Sequence, residues 1–85
     1  MHAGEADTMS LMQLILVEAD QRAQLADLVK LADEMMEDPR CQVVFPATHG
    51  EAGVIVSVWP DGVADEVEAG LIGGGWRIRR MQIVD

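Results

Sequence analysis

Any chemistry in this sequence would have to begin with Cys41, His49 and His2, which supply its only thiol and its only imidazoles. A structural zinc site takes about four such ligands in close, characteristic spacings. These three are scattered, so no metal is expected. A nucleophilic thiol needs a base within reach and a third group to orient that base, and no orienting residue accompanies Cys41 and His49. A lone Cys41 reads more simply as a small buried apolar residue. Asp65, Glu66 and Glu68 could be imagined as paired acid and base, but no pocket or apolar neighbour is evident that would raise the pKa of one of them. Gly70 and Gly73 to Gly75 form a glycine cluster without a following Lys-Ser or Lys-Thr. A phosphate loop opens a helix, whereas this run precedes a strand pattern, so it reads as a helix cap and turn. The chain is therefore expected to be non-enzymatic and to hold no cofactor.

The elements that would position these residues are those of one small domain. Eighty-five residues with 49% hydrophobic content allow a single modest core. With one cysteine, no internal disulfide can staple it, so stability must come from packing. Leu14 to Val17 is the longest apolar run, far short of the roughly 20 residues that span a bilayer, and no Lys or Arg precedes it. These features give the expectation of a cytoplasmic protein without membrane contact. A formal charge of -9 argues against direct nucleic-acid binding, which uses clustered Lys and Arg, and favours basic partners.

Residues 1–8 offer almost nothing to bury and are expected to fray, leaving a domain over residues 9–85. Leu11 to Val17 is apolar on both alternating faces, Leu11, Ile15 and Val17 on one and Met12, Leu14 and Leu16 on the other. That is the pattern of a central strand, although a helix is a competing reading because Leu, Met and Gln are good helix formers. A helix is predicted from about Gln21 to Glu37, N-capped by Asp20 and stopped by Pro39. Its apolar stripe comprises Leu25, Leu28, Val29, Ala32, Met35 and Met36.

Cys41 to Phe45 and Val54 to Trp59 read as a hairpin with a long loop over Pro46 to Gly53. Pro60 to Gly62 close the second strand. A weak helix follows on Val63, Val67 and Leu71, and a final strand, Trp76 to Val84, carries Arg77, Arg79 and Arg80. Arginines on a strand suit a protected sheet edge.

The segment Leu14 to Asp20, LILVEAD, resembles the first strand and acidic turn of response-regulator receiver domains. The resemblance covers these seven residues only, and Ala19 stands where that family shows a second acid. No later strand ends in an acceptor Asp, so no residue role is carried over.

The order strand, helix, strand, strand, short helix, strand predicts an α+β fold of the split βαβ, ferredoxin-like kind, with the first strand inside the sheet and the last at an edge. The fallback is one long helix on a three-stranded antiparallel sheet. With both helices on one side, Asp20, Asp27, Asp33, Glu34, Glu37, Asp38, Asp61, Asp65, Glu66 and Glu68 would share one acidic layer.

Two functional readings follow. In the first, the acidic face, with Asp20, Asp27, Glu34, Glu37, Asp38, Asp65, Glu66 and Glu68 as contacts, occupies a basic surface on a nucleic-acid-binding complex. The sharpest form is a phage-type inhibitor that imitates nucleic acid, of the anti-CRISPR kind. In the second, the chain is a structural or regulatory homo-oligomer that associates through its sheet, with Trp76, Arg77 and Arg79 as candidate dimer or edge contacts. The uncovered sheet face separates the two: apolar residues there fit an obligate dimer, polar ones a monomeric binder.

Overall fold

A computed structural model describes residues 12–83. The tail expected over residues 1–8, Leu11 and the end of the last predicted strand lie outside them. The chain order is β1 (Met12–Ala19), α1 (Arg22–Glu37), β2 (Val43–His49), β3 (Ala52–Pro60), α2 (Asp61–Gly73) and β4 (Arg77–Ile83). The strands form one antiparallel sheet in the order β2-β3-β1-β4. This is the ferredoxin-like α+β arrangement, with β1 interior and β4 at an edge.

Period-two alternation on the two central strands divides the sheet. Gln13, Ile15, Val17 and Ala19 of β1 and Gly53, Ile55, Ser57 and Trp59 of β3 are buried beneath the helices. Directly opposed residues share a face, and Ile15 pairs with Ser57 on one side and Arg80 on the other. Leu28, Ala32 and Met35 of α1 and Ala64 and Leu71 of α2 complete the core. The α1 stripe is narrower than the sequence predicts. Val29 and Met36 are exposed, and Leu31 packs against the core in their place.

Two local expectations are corrected. Asp20 does not cap α1; Gln21 occupies the N-cap in an extended conformation without a side-chain cap bond, and Asp20 turns to Arg77. The hairpin has no long loop. Pro46 to His49 continue β2 opposite Ile55 to Ala52, so only Gly50 and Glu51 turn the chain. Gly50 has φ +64° and Glu51 has no positive φ, as a tight hairpin turn with glycine first requires. At the same end of β3, Gly53 lets α1 approach closely: a Cβ built there would lie 2.6 Å from Leu28 Cδ2.

Ser57 is the polar knot of this core. It is 0% exposed, its hydroxyl donates to the Ile15 carbonyl at 3.0 Å, and it accepts the Trp59 indole N–H at 2.9 Å. One side chain thus joins the two central strands and satisfies a buried tryptophan. Ser57→Ala leaves the indole donor without a partner, at a cost of about 1–3 kcal/mol. Thermal denaturation is expected to show Tm lowered by on the order of 5–15 °C; an unchanged Tm would contradict this role.

Candidate functional site

The residues considered for catalysis do not converge. Cys41 precedes β2 and His49 ends it, so an extended path of eight residues, about 25 Å, separates them. The Cys41 thiol donates to the Val43 carbonyl at 3.2 Å, and burial pushes its pKa up, away from the thiolate a nucleophile needs. Gly73 to Gly75 terminate α2. The N–H groups of Gly74, Gly75 and Trp76 return to carbonyls of Gly70, Leu71 and Ile72, with Gly75 at φ +85°. Among the described residues, no group of three His, Cys, Asp or Glu is placed to hold a metal ion.

The acidic layer divides into paired and unpaired parts. Arg80, on the helix side of β4, reaches Glu68 at 2.6 Å and Asp65 at 2.8 Å, and these two acids raise its pKa further. It also donates to Gln13 Oε1 at 3.1 Å, while Gln13 Nε2 donates to Asp61 at 2.7 Å. The buried Gln13 is therefore satisfied at both ends and ties α2 to the sheet. Arg40 binds Asp38 at 2.9 Å, holding that carboxyl below the usual range, and reaches Glu66 at 3.5 Å. Asp20 meets Arg77 at 3.5 Å. Of the acids expected to contact a partner, Asp27, Glu34 and Glu37 on the outer face of α1 have no ion-pair partner among the described residues.

A contiguous apolar surface lies on the other side of the molecule. No described element covers the face of the sheet turned away from the helices. Its centre is Leu14 and Leu16 of β1 and Val54, Val56 and Val58 of β3, flanked by Val43 and Phe45 of the edge strand β2 and Met81 of the edge strand β4. Phe45 is 62% exposed and Met81 52%. Its charged groups gather at one end, where Arg79 lies 3.8 Å from Glu18, near Arg77 and His49 around an open groove of about 460 Å³. Arg77 and Arg79 thus belong to this face. Trp76 does not; it packs against the core in a second groove with Trp59, Met35 and Leu71.

A signal for the apolar face exists in the sequence, since LMQLILV and VIVSV are apolar at both parities while the chain supplies helices for only one side.

Solved structures share this fold. The chain is similar to the crystal structure of NE2512, a protein of unknown function from Nitrosomonas europaea, with a TM-score of 0.62 and 14% identity over 89% of this chain and 92% of that one. It is also similar to a de novo designed protein, Foldit4, with a TM-score of 0.53 and 13% identity over 88% and 97%. No family model and no curated protein matches the chain. At these identities the likeness concerns the fold.

Cys41 is expected to react slowly with a thiol alkylating reagent at neutral pH in the native protein, and many-fold faster once denatured. Equal rates in the two states, followed by mass spectrometry, would mean that the thiol is not held as described.

Proposed function

We propose that this chain is a non-enzymatic protein-association domain whose contact surface is the uncovered face of its sheet. The observation that carries this reading is the continuous apolar patch formed by two adjacent rows, Val43, Val58, Leu14 and Met81 in one and Phe45, Val56 and Leu16 in the next, the second ending on Arg79. Isolated exposed apolar residues are ordinary on a soluble protein; a contiguous patch with charges gathered at its margin is the anatomy of an interface. The helices serve as a backing layer that holds the sheet in shape, and the acids on that layer keep the opposite surface solvated.

A second reading rests on Asp27, Glu34 and Glu37. Their unanswered charge suits a basic surface, such as that of a nucleic-acid-binding complex, and an inhibitor that imitates nucleic acid would use them. The ion pairs of Arg40 and Arg80 reduce the rest of the acidic layer available for that purpose.

Two methionines separate the readings. Met81 on the sheet face and Met36 on the outer face of α1 are 52% and 54% exposed, so an unbound chain oxidises them at similar rates. Hydroxyl-radical footprinting in lysate of cells producing the chain is expected to label Met81 several-fold more slowly than Met36. Equal rates would contradict use of the sheet face, and selective protection of Met36 would favour the acidic face.

A further inference from the structure

The partner of the sheet face can be named from the way the fold distributes its edges, charge and area. Self-association of a small sheet usually proceeds through an edge strand, whose unpaired N–H and C=O groups template another chain. Both edges here are blunted. The edge strand β2 carries Pro46, which lacks an N–H, and β4 carries Arg77, Arg79 and Arg80. The uncovered face has no such protection.

Charge is segregated in the same sense. The helices carry eight acids against two bases, whereas among the described residues the strands place only Glu18, Arg77 and Arg79 as formal charges on the open face, one net positive charge. Two copies meeting face to face would bring apolar surface against apolar surface, with sheets about 10 Å apart. Their acidic helix layers would point outward, roughly 30 Å apart once a helix thickness is added on each side. At physiological ionic strength the screening length is about 8 Å, so the charge of -9 on each chain opposes this arrangement only weakly.

Area is compatible as well. Four strands spaced about 4.8 Å apart and about 25 Å long give roughly 500 Å² in flat projection, before the relief of the side chains is added. A specific interface begins at roughly 600 Å² per partner. Phe45, midway along the edge strand β2, supplies an exposed aromatic anchor at one side of the face.

We infer that the occupant of the open sheet face is a second copy of this chain, packed sheet to sheet about a two-fold axis, with Glu18, Arg77, Arg79 and His49 at the rim. The inference rests on the association reading above and adds the identity of the partner. Because each copy offers the same patch, the contact closes at two chains and does not propagate.

Sedimentation velocity on the purified full-length chain, from about 1 to about 200 µM, tests it. The expected species at the upper end has twice the chain's mass. Phe45→Ser, at a side chain already exposed in the monomer, is expected to raise the dissociation constant at least about tenfold, and Val56→Lys to abolish the dimer. Met36→Lys, on the far side of α1, is expected to leave it unchanged. Circular dichroism checks that each variant is folded, and Phe45→Ser decides the matter if Val56→Lys is not.

A dimer insensitive to Phe45→Ser, or assemblies that keep growing with concentration, would overturn the inference. So would a monomer at about 200 µM. If Met81 were still protected in lysate, that monomer would leave the association reading standing with a different protein as partner. If Met81 were protected in the purified monomer, the chain's own residues would cover the face.

Discussion

The antiparallel register of β1 with β3 is the constraint on which the rest of this molecule depends. Ile15 opposite Ser57 and Val17 opposite Ile55 put one residue set of each strand under the helices. The same pairing forces Leu14, Leu16, Val56 and Val58 onto the opposite side. A slip by one residue would exchange the two sets and bring Glu18 toward the core. The hydroxyl of Ser57 fixes this register chemically, because it reaches the carbonyl of its cross-strand neighbour Ile15 and serves Trp59 on its own strand.

From that register follows an asymmetry between the two faces. Two helices can cover one side of a four-stranded sheet, and α1 and α2 do so with Leu28, Ala32, Met35, Ala64 and Leu71. They carry most of the acids with them. Arg80 and Gln13 stitch α2 to the sheet from within this layer, so part of the apparent acidity is spent on internal structure. What remains on the other side is apolar, nearly uncharged and bounded by protected edges. This division of labour is what suits the open face to the proposed association with a second copy.

Much of the architecture was legible in the residues, because alternation and helical spacing are local signals. The apolar pattern on both faces of Leu11 to Val17 pointed to an interior strand, and the arginines of Trp76 to Val84 pointed to an edge. The exceptions are positions where tertiary context overrides local chemistry. Pro46 suggested a loop, yet an edge strand tolerates proline and β2 runs through it to His49. Asp20 is a good capping residue by type, but Arg77 engages it instead. Along the sequence the acidic layer reads as uniform, because ion pairs such as Arg80 with Glu68 join residues on different elements. The open face was foreshadowed by strands apolar at both parities; its extent emerged only when register aligned Phe45, Val56, Leu16 and Arg79 across the sheet.

The most direct test of a covered sheet face is methyl NMR of the purified chain with a soluble paramagnetic probe at high protein concentration. The account predicts that the methyls of Leu14, Leu16, Val56 and Val58 are shielded from the probe while those of Val29 and Ile72, exposed on the helices, relax strongly, and that the shielding fades on dilution. Equal relaxation of both sets at every concentration would contradict it.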